Sequence, residues 1–156
     1  MDVIRAAIKE FKGLPHRCEW VASVSGVEFY NDSKGTNVGA TMAAIEGLGQ
    51  HIDGHIILIA GGVGKGADFR SLVPVINRWG KEVILIGQDA VEMASNFDKD
   101  INTYFATDME DAVSTAFEHG TAGDAVLLSP ACARFDMYDN FQHRGHSFIK
   151  SVEQLR

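Results

Sequence analysis

The chain has 156 residues, an apolar fraction of 46% and a formal charge of −7. This length points to one domain with a core of its own, and the apolar fraction excludes a disordered chain. The acidic balance argues against a nucleic-acid or membrane-surface binder, and no apolar run approaches the ~18 residues of a bilayer span.

The first residues, Met1-Asp2-Val3-Ile4-Arg5, carry neither the basic start nor the apolar stretch of a secretory signal. Cys18 and Cys132 fit no zinc spacing and read as structural thiols of a reduced, cytoplasmic chain. Residues 2–12 place Val3, Ile4, Ala7, Ile8 and Phe11 on one side of an amphipathic helix, which Gly13-Leu14-Pro15 ends. His16-Arg17 follows in an extended link, from which Arg17 can reach a phosphate or a carboxylate. Trp20, Ala22 and Val24 then alternate with smaller or polar neighbours, and Ser25-Gly26 turns the chain into Val27-Glu28-Phe29-Tyr30. This pattern predicts a β-hairpin.

Asn31 to Asn37 packs one carboxylate, one ammonium, two hydroxyls and two amides into seven residues. Thr36 or Asn37 is placed to cap a helix whose apolar positions Val38, Met42 and Ile45 recur at helical spacing. A helix N-terminus beside Lys34 and Thr36 makes an anion-reading corner, and a capped turn with a surface ion pair is the plainer alternative. Ile56-Ile57-Leu58-Ile59-Ala60 suits a strand buried on both faces. The glycine-rich loop Gly61 to Asp68 follows, then a helix over Phe69 to Trp79 with a kink or break expected at Pro74. Val83 to Gly87 reads as a second buried strand and Gln88 to Phe97 as a helix with Val91 and Ala94 inward. Thr103 to Ala106 is a short strand, and Asp108 caps a helix through Val113, Ala116 and Phe117, with Asp111 completing only part of a capping box. Ala125 to Leu128 is a third buried strand. After the loop Ser129 to Asp136 the chain closes on a helix from Asp139 to Leu155.

This alternation predicts an α/β, Rossmann-like fold: a mostly parallel sheet with helices on both faces and an N-terminal β-hairpin. The three unusual loops all follow strands, so Lys34, Lys65 and Arg134 are expected along one sheet edge. The Gly61–Gly66 loop fails the Walker pattern, because Ile59 and Gly66 stand at its first and last positions. Gly62-Val63-Gly64-Lys65-Gly66-Ala67, with Asp89 downstream, fits the loose dinucleotide pattern, so a stand-alone dinucleotide- or phosphate-binding module is the alternative function. His143 and His146 share a helical face without a tetrahedral set, His51 and His55 flank a turn, and no metal site is expected. Ser129 lacks the glycines of a nucleophile elbow, and no residue reads as a catalytic nucleophile.

Four blocks together, Gly13-Leu14-Pro15-His16-Arg17, Asn31-Asp32-Ser33-Lys34-Gly35-Thr36-Asn37, Gly61 to Phe69 and Leu128-Ser129-Pro130-Ala131-Cys132-Ala133, resemble the C-terminal domain of the bacterial Mur ligases. The likeness is strongest to the branch that adds D-glutamate. The resemblance implies residues 13–156 as that domain, with residues 1–12 a junction from a central ATP-binding domain. It implies an ATP-dependent ligase of peptidoglycan precursor synthesis that joins D-glutamate to UDP-N-acetylmuramoyl-L-alanine, with ATP and Mg2+ held mainly by the central domain. An isolated segment is then expected to be inactive. By the same resemblance Arg17 and Asp32 contact ATP, while Lys34, Thr36, Lys65 and Phe141 surround D-glutamate. Arg134 stands where the family pattern has a substrate-contacting serine and is expected to contact D-glutamate in its place, and Val63 stands where an acidic residue is frequent.

Overall fold

The computed structural model describes residues 17–64, 66–132 and 137–155. The expected helix over residues 2–12, the link through His16, Lys65 and Arg134 lie outside the described residues. Among the described residues six strands form one sheet: β1 (Glu19–Val24), β2 (Val27–Asn31), β3 (Ile56–Gly61), β4 (Gly80–Ile86), β5 (Thr103–Phe105) and β6 (Ala125–Leu128). The order is β1-β2-β6-β3-β4-β5, antiparallel only between β1 and β2. The hairpin expectation holds: Ser25 and Gly26 both take positive φ, 52° and 82°, which matches the twist of a two-residue hairpin turn.

Among the described residues, five α-helices cover the sheet: α1 (Val38–Gly49), α2 (Val73–Trp79), α3 (Ala90–Ser95), α4 (Met109–His119) and α5 (Phe141–Glu153). Strand alternation sends Ile56, Leu58 and Ala60 of β3 and Val83 and Leu85 of β4 into a core shared with Ile45, Ile76 and Met93. Ile57, Ile59, Ile84 and Ile86 point the other way, onto Val113 and Ala116 of α4 and Phe148 and Val152 of α5. β3, β4 and β6 are therefore apolar at successive positions, as parallel strands covered on both faces must be.

Two local expectations are corrected. Phe69–Leu72 is a 3-10 turn and α2 starts at Val73, with Pro74 in the first helical turn. There its missing N–H costs nothing, so Pro74 begins a helix rather than kinking one. Val91 is 73% exposed, and α3 buries Ala90 and Met93 instead. With only six residues, α3 presents a narrow stripe to the sheet, and its start at Ala90 sets which positions fall on it. Asp108 caps α4 through the Asp111 N–H at 2.8 Å, while Asp111 Oδ2 reaches back to the N–H of Thr107 at 2.9 Å. The reciprocal bond of a full box is displaced by one residue, so the box is partial, as expected from the short Asp111 side chain.

Candidate functional site

β2 and β6 are neighbours, yet the helices that follow them, α1 and α5, pack on opposite faces of the sheet. A crevice opens at such a point, outside the carboxyl ends of the strands. Here it is a cleft of about 600 Å3, lined by Arg17, Cys18, Asp32, Lys34, Gly35, Thr36, Asn37, Ala40, Ala44 and Phe141. Of the seven residues predicted to bind substrate or nucleotide, five (Arg17, Asp32, Lys34, Thr36 and Phe141) therefore line one cavity.

The loop after β2 is held tightly. Asp32 N–H donates to the Leu128 carbonyl at 2.7 Å, and Gly35 N–H to the Asp32 carbonyl at 2.8 Å. The Asn31 side chain accepts from Ser33 N–H at 3.1 Å. Asn37, rather than Thr36, caps α1, accepting from Ala40 N–H at 2.8 Å. The cap leaves the Thr36 side chain free of that duty and on the cleft wall. Lys34 is exposed, its Nζ 5.3 Å from the centroid of the Phe141 ring, close enough for cation–π attraction across the cleft.

Beneath these groups runs a chain of hydroxyls. Thr41 Oγ1 lies 2.8 Å from Ser129 Oγ, and Ser129 Oγ donates to Asp32 Oδ2 at 2.7 Å. The other oxygen, Asp32 Oδ1, accepts from Cys18 N–H at 3.0 Å. Burial pushes the Asp32 carboxyl above its ordinary value, against the pull of these two bonds and of the Arg17 charge. Burial, reinforced by the Asp32 charge, also pushes the Cys18 thiol up to about 12, so it is neutral and a poor nucleophile.

The two other loops share this edge. Gly61 N–H donates to the Pro130 carbonyl at 3.1 Å, and Ala131 N–H to the Gly35 carbonyl at 2.8 Å. Gly61 has φ of 123°, and a Cβ there would collide with the Ile86 carbonyl, so only glycine lets β3 leave the sheet here. The dinucleotide pattern gains nothing from the geometry. Asp89 Oδ2 accepts from Gly64 N–H at 2.8 Å, which uses the expected ribose ligand to pin the loop. Among the described residues no three His, Cys, Asp or Glu side chains gather to hold a metal. His143 Nδ1 accepts from Asp139 N–H at 3.2 Å as part of the α5 start.

A family model described as "Mur ligase, glutamate ligase domain" matches residues 16–132. The chain belongs to that family. This Mur ligase domain is 51% identical over 148 residues to the UDP-N-acetylmuramoylalanine–D-glutamate ligase of Coxiella burnetii (strain Dugway 5J108-111), covering 95% of this chain and 34% of the relative. It is 49% identical over 154 residues to the ligase of the same name from Pseudomonas aeruginosa, covering 99% of this chain and 34% of the relative. The chain thus spans about a third of the length of the curated relatives it matches. Among solved structures, the UDP-N-acetylmuramate–alanine ligase of Thermotoga maritima superposes with a TM-score of 0.65 at 11% identity, covering 97% of this chain and 33% of that one. The MurF ligase of Thermotoga maritima, solved with ADP, gives 0.63 at 19% identity over 93% of this chain and 33% of that one. These two likenesses agree with the α/β fold expected from the alternation of strands and helices.

Sequence reasoning missed the supports of the site. Thr41, Ser129, Ser33 and Arg144 are all buried. Arg144 had a visible signal: it stands four residues before Phe148 and eight before Val152, on the apolar stripe of α5. A cation on a buried stripe needs dedicated partners.

Proposed function

We propose that this chain is the amino-acid-binding domain of the ligase that adds D-glutamate to UDP-N-acetylmuramoyl-L-alanine, using ATP, in the cytoplasmic stage of peptidoglycan precursor synthesis. The observation that carries this reading is the cleft in which Arg17, Lys34, Thr36 and Phe141 meet at the carboxyl edge of the sheet. D-Glutamate carries two carboxylates, and a lysine beside a capped helix start offers the charge and N–H donors they need. Lys65 and Arg134 are assigned to the same substrate. Arg17 is assigned to the nucleotide phosphates, and Asp32 to the nucleotide through the lone pairs its two protein hydrogen bonds leave open. Magnesium belongs in this reading to nucleotide phosphates held by other segments, as does the UDP-linked substrate.

In the reaction the amine of D-glutamate displaces inorganic phosphate from an acyl phosphate of the UDP-linked substrate, forming an amide. The cationic rim orients the amino acid for that attack, and its closure over the acyl phosphate excludes water. This segment alone is expected to be inactive. In the full-length ligase, Lys34→Ala or Lys65→Ala raises KM for D-glutamate ten- to a hundredfold, because a hydrogen bond to a charged group is worth roughly 1.5–3 kcal/mol. Phosphate release assayed with each candidate amino acid tests the reading directly. Turnover independent of D-glutamate refutes it.

A further inference from the structure

Arg144 is the one buried lysine or arginine among the described residues, 2% exposed in the second turn of α5. Its guanidinium spends two donors on a residue 111 positions earlier: Nε donates to Ser33 Oγ at 3.0 Å and Nη2 to the Ser33 carbonyl at 2.7 Å. The Ser33 hydroxyl in turn donates to the Phe141 carbonyl at 2.7 Å. The donors and acceptors are consistent, since Ser33 Oγ accepts from arginine and gives its own proton to the carbonyl. Ser33 immediately precedes Lys34, and Phe141 is the ring over which Lys34 Nζ lies at 5.3 Å. One three-residue clamp therefore ties the β2–α1 loop to the first turn of α5, the two walls of the cleft.

We propose that Ser33 and Arg144 are positioning residues that set the Lys34–Phe141 separation and thereby the affinity of the cleft for its anionic amino acid. The inference rests on the functional reading above. The planar guanidinium matters because its Nε–H and Nη2–H fork meets a hydroxyl and a carbonyl of the same residue. A lysine ammonium would offer a point charge without that fixed angle. Burial excludes water that could stand in for either bond, so the loop and the helix start are held in one relative position.

The test is steady-state kinetics in the full-length ligase, varying D-glutamate and ATP separately, beside thermal unfolding. Ser33→Ala removes the hydroxyl link yet leaves the Arg144 bond to the Ser33 carbonyl, so it keeps the question answerable if Arg144→Ala fails to fold. The expected result is KM for D-glutamate raised about tenfold in Ser33→Ala, with kcat and KM for ATP within about twofold of wild type. Ser33→Thr, which keeps the hydroxyl, restores most of the loss. Arg144→Lys shows the same KM pattern. A lower melting temperature with KM for D-glutamate unchanged makes the clamp purely structural and overturns the proposal, as does an equal rise in both KM values. A wild-type enzyme that turns over without regard to D-glutamate instead overturns the functional reading, and this inference with it.

Discussion

Asp32 and Asp124 sit at opposite ends of the same pair of strands, β2 and β6, and both are buried, at 8% and 3% exposure. Asp124, before β6, receives four hydrogen bonds: from His55 N–H, Thr121 N–H, Thr121 Oγ and Lys81 Nζ, at 2.9 to 3.1 Å. Burial works against its charge, but the bonds from His55, Thr121 and Lys81 and the lysine charge outweigh it and hold the carboxyl below its ordinary value. Asp32, after β2, has two donors among the described residues, and burial leaves its carboxyl raised. The first is a staple for the blind edge of the sheet. The second is a carboxylate on a cleft wall whose burial outweighs its described donors, the kind of group that functional sites retain at a cost in stability.

Mutations should separate the two roles. The largest stability effect is expected for Asp124→Ala, about 3 kcal/mol by urea unfolding, because it strands a lysine and three further donors. The cleft should keep its ligand contacts. Ser129→Ala comes next, at about 2 kcal/mol, since it leaves Asp32 Oδ2 without its donor. It should also raise the Asp32 carboxyl further, which carboxyl-carbon NMR titration would show. A titration of Asp32 unmoved by Ser129→Ala would break the comparison. Asp32→Asn should cost only about 1 kcal/mol, as burial already penalises the charge, while impairing ATP use in the full-length ligase. Asn37→Ala, which removes only the cap of α1, should cost about 1 kcal/mol by the same measurement.

The subtlest contrast is in pH. The lowered Asp124 carboxyl stabilises the fold above its ordinary value of 3.8, and that contribution is lost as pH falls through the still lower folded value. The raised Asp32 carboxyl acts in the opposite sense: its favourable contribution is present below 3.8 and disappears as pH climbs through the raised folded value. Asp124→Asn should therefore flatten the stability curve on the acid side of 3.8, and Asp32→Asn on the other side. Urea midpoints measured across the acid range would distinguish these slopes.

Much of this was readable locally. Ala125 to Leu128 is a strand with the expected bounds, since a short apolar run between an aspartate and a Ser-Pro can hardly be anything else. Asn37 and Asp108 announced their helices because capping is a contact within three residues. Val91 misled because six residues of helix carry too little periodicity to fix a face. Pro74 misled because the preceding 3-10 turn hid the true helix start. Of the five cleft residues, Arg17, Lys34 and Thr36 were legible from their local chemistry and Asp32 and Phe141 from motif resemblance, whereas the Ser33–Arg144 bond was not, since it joins positions 111 residues apart.

From its amino acids alone, this protein determined its strands, its caps, its α/β class and the polar loops that carry the site chemistry. Each of these depends on neighbours a few positions away, or on the period of apolar side chains. The tertiary structure alone decided that β6 inserts between β2 and β3, that α1 and α5 leave on opposite faces to open the cleft, and that an arginine is buried to hold its walls. Apolar periodicity tells a strand which face to bury but not which partner to pair with, and pairing is settled only when the whole sheet satisfies its hydrogen bonds together.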